Sequence, residues 1–145
     1  MKKYDIKHLD KIVEKILIPR LDEFKIFTFR GPLGAGKTTL IKELLRKCGV
    51  SEVVTSPTFN YVNTYVNLQG QVFNHFDLYR ITSIDNFLEL GLDEYLYKNE
   101  KTWNLIEWPE VIDSLLNKIP LKNKVFKIFI TYNGNELDKR IIKSS

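Results

Sequence analysis

Gly31-Pro32-Leu33-Gly34-Ala35-Gly36-Lys37-Thr38 is the stretch on which the reading of this chain turns. It fills every fixed position of the pattern G-x-x-x-x-G-K-[ST]. Glycines at 31, 34 and 36 let successive backbone N–H groups converge on one anion, because a residue without a Cβ reaches conformations that others avoid. A helix starting behind the turn adds its positive N-terminal end. At average composition a chain of this length meets the pattern by chance about 0.5% of the time. The flanks agree with it. Phe24–Arg30 (FKIFTFR), rich in aromatic and β-branched residues, predicts a strand before the turn. Lys37–Lys47 predicts a helix after it, closed by Gly49.

Such a turn cradles the phosphates of a nucleotide, so the expected cofactors are ATP and Mg²⁺. The expected nucleotide-binding residues are Gly31, Gly34, Ala35, Gly36, Lys37, Thr38 and Thr39. Lys37 would bridge the β- and γ-phosphates, which also makes it a catalytic candidate, and the Thr38 hydroxyl would be a Mg²⁺ ligand. Hydrolysis further needs carboxylates that hold the metal and orient the attacking water. Asp77 closes the run Phe73–Asp77 and Glu107 closes Asn104–Glu107. Strand ends beside such a turn are where ligands bind in open α/β sheets. Asp77 and Glu107 are therefore candidates for both catalysis and metal binding, with the two roles left unassigned between them. The plain alternative for either, with the smaller weight, is a surface acid at a strand end.

Ser56-Pro57-Thr58-Phe59 falls between two expected strands, where a nucleotide-sensing loop would sit. Thr58 is a candidate contact for Mg²⁺ or the γ-phosphate. Ser-Pro is ordinary turn chemistry as well. His8 and His75 lack the spacing of a metal pair and read as structural. Trp108, beside Glu107, reads as core rather than as a stacking platform. Arg80 has three readings: a phosphate partner, a partner protein's contact, or a solvated side chain.

Outward from the motif, Ile6, Leu9, Ile12, Val13, Ile16 and Leu17 predict an amphipathic helix over 5–18, ended by Pro19. Val53–Thr55 predicts a short strand, and Asn60–Asn67 with Gln71–Asp77 a hairpin around Leu68–Gly70. Residues 84–97 read as helical with a break at Gly91, 102–108 as a strand, and 109–117 as a helix with Pro109 in its first turn. Val125–Tyr132 and Leu137–Ile142 flank Asn133-Gly134 and predict a terminal hairpin. This order gives an α/β fold, a P-loop NTPase-like mixed sheet flanked by helices with added antiparallel strands. All 145 residues read as a single nucleotide-binding domain.

Composition sets the remaining bounds. No apolar run approaches the roughly 20 residues of a membrane span. The opening MKKYDIKHLD has no apolar stretch behind its lysines and does not read as a secretory signal. The lone cysteine, Cys48, reads as an apolar filler in a reducing compartment, and the expected location is cytoplasmic. The net charge of +4 comes with lysines spread along the chain, which is the pattern of a solvated surface.

GPLGAGKTTL, SPTFNYVNTY, FNHFDLYRI, the ELGLDEYL stretch at Glu89–Leu96 and NLIEWPE, in this order and spacing, resemble the TsaE-type (YjeE-like) P-loop ATPases of bacterial tRNA threonylcarbamoyladenosine synthesis. HFDLYR with a downstream IEWPE is far more specific to that family than the glycine-rich motif. The resemblance implies a compact P-loop sheet with additional antiparallel strands and a weak ATPase activity. It also implies partners, a TsaD-type enzyme and its TsaB-type companion, which transfer the threonylcarbamoyl group to adenosine 37 of ANN-decoding tRNAs. The small ATPase would support turnover of that pair, with tRNA contacted indirectly. By motif match Lys37 and Thr38 take the phosphate and Mg²⁺ roles, Thr58 lies in the switch-like loop, Asp77 and Glu107 are the functional carboxylates, and Trp108 neighbours the site. Pro32 and Thr64 stand where many relatives carry acidic residues, and the tail after Pro120 carries little family signal. Two other functions fit the same motif: a small-molecule kinase, and a nucleotide-gated binding module with negligible hydrolysis. Arg80 is the only arginine between Arg46 and Arg140, so no arginine-bearing kinase lid is visible.

Overall fold

A computed structural model describes the chain except residues 58–59, 98–99 and 119–124. Its strands are β1 (Lys2–Asp5), β2 (Ile26–Arg30), β3 (Val62–Val66), β4 (Val72–Asp77), β5 (Thr102–Glu107), β6 (Val125–Asn133) and β7 (Glu136–Ser144). They form one seven-stranded sheet in the order β1-β7-β6-β2-β5-β4-β3. Strands β6, β2, β5 and β4 run parallel, while β3 pairs antiparallel with β4 and β7 antiparallel with β6 and β1. The expected mixed sheet with antiparallel additions is what the chain forms.

Burial explains the centre of the sheet. Ile26, Phe27, Thr28 and Phe29 are all buried, because β2 has helices over both faces. On one face the helix α2 (Lys37–Lys47) and the N-terminal helical segment cover Phe27, Phe29, Phe73, Leu105 and Ile128. On the other, α3 (Ile84–Glu89), α4 (Asp113–Leu116) and the 3-10 turns Leu92–Tyr97 and Pro109–Ile112 cover Ile26, Phe76 and Ile106. Each fully buried Phe, Leu or Ile contributes about 1.5–3 kcal/mol relative to exposure. Ser83 caps α3 by accepting from Asn86 N–H at 3.1 Å.

Two expectations are corrected, and one strand was not expected. The helix expected over 5–18 is a succession of a 3-10 turn (Ile6–His8), an α turn α1 (Leu9–Ile12) and a π-helical stretch (Val13–Leu17), followed by a 3-10 turn at Ile18–Arg20. Pro19 has no N–H for the carbonyl four residues back, so the turns before it rearrange instead of stopping cleanly. Residues 2–5 form the edge strand β1, a pairing that needs β7 and leaves no local signature. Val53–Thr55 is not a strand. Val53 is exposed, and Thr55 is held by side chains, its N–H donating to Tyr65 Oη at 3.2 Å and its carbonyl accepting from Asn63 Nδ2 at 3.3 Å. Among the described residues no helix is long and apolar enough to cross a membrane.

Candidate functional site

The strand β2 ends at Arg30 and the chain turns through Gly31, Gly34 and Gly36, at φ 147°, 77° and 104°, into α2. A side chain at Gly31 would put its Cβ 2.1 Å from the Ile130 carbonyl oxygen, so that position accepts only glycine. Among the described residues no side chain caps α2, which leaves its first-turn N–H groups available to a ligand.

Lys37 is buried, at 4% exposure. Its ammonium donates to the carbonyls of Gly31 and Pro32, at 2.6 and 3.1 Å, and lies 3.9 Å from the centre of the Trp108 ring. Among the described residues it makes no ion pair. Burial lowers its pKa, opposed by the more distant charges of Glu107, Glu110 and Asp77.

Beside it, Thr38 Oγ1 donates to Glu107, 2.8 and 2.9 Å from Oε1 and Oε2. Glu107 is buried, which excludes the surface-acid reading. His75, fully buried, lies with Nε2 2.6 Å from Glu107 Oε2, while its Nδ1 has no partner among the described residues. Sequence reasoning took His75 as structural and missed this contact. The signal was available, since alternate residues of β4 share a face and place His75 and Asp77 together. Asp77 is the Cα partner of Glu107 across β4 and β5 and is half-buried. Burial raises its pKa, against the Tyr79 N–H donated to Oδ1 at 3.1 Å.

Trp108 follows Glu107 in the left-handed region, at φ 56°, an expensive conformation for a bulky residue. That backbone sets the indole over Lys37, and Tyr79 packs on it at 5.0 Å. Trp108 is thus half-buried, packing against the core on one side and over Lys37 at the site on the other. Ser56, Pro57, Tyr61, Asp77, Tyr79 and Arg80 line an open recess next door. Thr58 lies outside the described residues. On the opposite side of the loop, Gly34, Ala35, Gly36 and Thr39 line a second recess with Tyr4 and Arg140. Lys37, Thr38, Asp77 and Glu107 therefore converge, as the sequence led one to expect. The oxygen donors of Thr38, Glu107 and Asp77 suit a hard cation such as Mg²⁺.

Comparison with known proteins bears on this arrangement. The family profile described as "Threonylcarbamoyl adenosine biosynthesis protein TsaE" matches residues 4–142. A Borreliella burgdorferi protein named tRNA threonylcarbamoyladenosine biosynthesis protein TsaE is 40% identical over 104 residues, 72% of this chain and 74% of its own. Its Treponema pallidum namesake is 35% identical over 116 residues, 79% and 80%. The Rickettsia felis namesake is 39% identical over 107 residues, 73% of this chain, and the match spans only 60% of that relative's length. The crystal structure of Bacillus subtilis YdiB superposes with a TM-score of 0.66 at 26% identity, covering 97% of this chain and 82% of that one. With its glycine-rich turn, mixed sheet and converging carboxylates in place, the chain belongs to the TsaE family of threonylcarbamoyl adenosine biosynthesis proteins.

Proposed function

We propose that the protein binds ATP with Mg²⁺ at Gly31–Thr39 and hydrolyses it slowly, as an accessory subunit of the tRNA threonylcarbamoyladenosine machinery. The observation that carries this reading is the buried Lys37 ammonium, which among the described residues bonds only to backbone carbonyls and packs on an indole ring, with no carboxylate in direct contact. A buried charge without a counter-ion is costly, and a polyphosphate at the N-terminus of α2 supplies that counter-charge.

Within this reading Lys37 holds the β- and γ-phosphates. Thr38 and Glu107, already joined, hold the metal side of the site, and Mg²⁺ bound there would neutralise charge on the transferring phosphoryl group. Asp77, made more basic by burial, orients the attacking water and accepts its proton. Thr58 is the candidate contact for Mg²⁺ or the γ-phosphate from the Ser56-Pro57-Thr58-Phe59 stretch. The whole chain works as one domain in the cytoplasm, with a TsaB-type and a TsaD-type protein as partners and tRNA met through them. Family membership supports the pathway and the partners. The test is titration of ATP with and without Mg²⁺, followed by phosphate release measured alone and with the partner pair. Absence of nucleotide binding by calorimetry would overturn the reading.

A further inference from the structure

The hairpin of β6 and β7 makes two contacts that the nucleotide reading does not use. The Tyr132 hydroxyl donates to the Leu33 carbonyl at 3.0 Å, and Arg140 Nε donates to the Ala35 carbonyl at 3.0 Å. Tyr132 and Arg140 are Cα partners across the hairpin, and the guanidinium lies 4.7 Å from the phenol ring centre. Arg140 is buried, and its Nη1 donates to the carbonyls of Leu137 and Lys139 at 2.6 and 3.0 Å. Its guanidinium is therefore pinned to its own strand at one end and to the glycine-rich loop at the other. The hairpin also bounds the loop sterically. A Cβ at Gly34 would fall 2.8 Å from Tyr132 Oη, just as one at Gly31 meets the Ile130 carbonyl.

Peptide geometry gives these bonds a consequence. A trans peptide points its C=O and N–H in opposite directions. Holding the Leu33 carbonyl toward Tyr132 turns the Gly34 N–H away from the hairpin, into the hollow of the loop. Holding the Ala35 carbonyl toward Arg140 does the same to the Gly36 N–H. Glycines at both positions leave these peptides free to flip when nothing fixes them. We infer that Tyr132 and Arg140 are positioning residues for the loop, presenting the Gly34 and Gly36 N–H groups to a polyphosphate before it arrives. This rests on the nucleotide reading above and adds its pre-organising element, since donors ordered in advance are not ordered at the expense of binding.

The test compares wild type, Tyr132→Phe and Arg140→Lys by calorimetry with inorganic pyrophosphate and with ADP, alongside Tm. Tyr132→Phe keeps the ring beneath the guanidinium and removes only the hydroxyl. Arg140→Lys keeps the charge and removes the Nε donor. Each variant should bind pyrophosphate and ADP about three- to tenfold more weakly, by the same factor for both ligands, at a temperature where circular dichroism shows it folded. Unchanged affinity in both variants, with wild type binding normally, would overturn the inference. So would a lowered Tm with unchanged affinity, which would make the hairpin a prop for the fold alone. Wild type that binds neither ligand would overturn the nucleotide reading itself, and the positioning role with it.

Discussion

Thr38 Oγ1 stands 2.8 and 2.9 Å from the two carboxylate oxygens of Glu107, across a sequence separation of 69 residues. The parallel pairing of β2 with β5 makes the meeting possible, because it carries Glu107 to the same end of the sheet at which α2 begins. In the proposed complex both oxygen groups face the metal. Thr38→Ala should therefore weaken ATP binding about five- to tenfold with Mg²⁺ present, the scale of one lost hydrogen-bonding group, and hardly at all in its absence. Calorimetric titrations with Mg²⁺ and with a chelator decide it. Equal losses in both would make Thr38 a structural residue.

Lys37 is expected to be the largest single contributor to binding. Its ammonium exchanges two neutral carbonyl acceptors for charged phosphate oxygens, and contacts of that kind are worth about 1.5–3 kcal/mol. Lys37→Ala should lose between about tenfold and a hundredfold in ATP affinity by the same titration. Because burial disfavours the charged amine in the free protein, the variant should not be less heat-stable for lack of that charge.

Asp77 separates chemistry from stability. Asp77→Asn should lower turnover by about 10² or more, the usual scale for a lost base, while the protein still folds and binds ATP. Its carboxyl is held above its ordinary value of 3.8, chiefly by burial. Below that pH the group is protonated in both folded and unfolded chains and contributes no difference. As pH rises past it, the unfolded chain ionises freely while the fold resists, so the fold bears a penalty that is complete at neutral pH. Asp77→Asn should thus melt higher than wild type at pH 7, with the gap closing as pH falls toward 4. Thermal melts across that range check the sign.

How much of this was legible in the sequence follows from the range of each interaction. The glycine-rich loop, its flanking strand and helix, and the strand-end acids Asp77 and Glu107 were readable because each is a local pattern. His75 was half-readable: its face was fixed by alternation from Asp77, but its contact with Glu107 needed the pairing of β4 with β5. Strand β1 and the Tyr132 and Arg140 contacts were not readable, since they join residues near the start of the chain to the β6–β7 hairpin about a hundred or more residues away. Val53–Thr55 misled for the opposite reason. It has strand composition, yet its anchors are the side chains of Asn63 and Tyr65.

Cys48 gives a check on the reading of its thiol as an apolar filler. Burial pushes its pKa up to about 11, so very little thiolate exists at pH 8. Alkylation of the native protein should be slower than that of the urea-unfolded chain by about two orders of magnitude. Equal rates measured by mass spectrometry would show the thiol to be open in solution.

The last expectation concerns the partner. The proposed site has a phosphate-binding lysine, a metal side and a base, and the arginine nearest to Asp77 in sequence, Arg80, is exposed. A catalyst lacking an arginine at the phosphates is slow, and one supplied in trans raises such rates by roughly 10³–10⁵. The open recess lined by Ser56, Pro57, Tyr61, Asp77, Tyr79 and Arg80 borders the carboxylate side of the site, where a docked protein would sense the γ-phosphate. Binding of the TsaB–TsaD-type pair should then be tighter with ATP than with ADP, and linkage requires the pair to tighten ATP by that same factor. Arg80→Ala should reduce this coupling while leaving ATP binding by the isolated protein near wild type, since Arg80 makes no described contact with the loop. Thr58→Ala is expected to act in the same direction through the switch-like loop. Titration of the pair against wild type and both variants, with ATP, ADP and no nucleotide, measures the coupling directly. Equal affinity in all three states would leave the protein a solitary slow ATPase without a nucleotide-controlled partner.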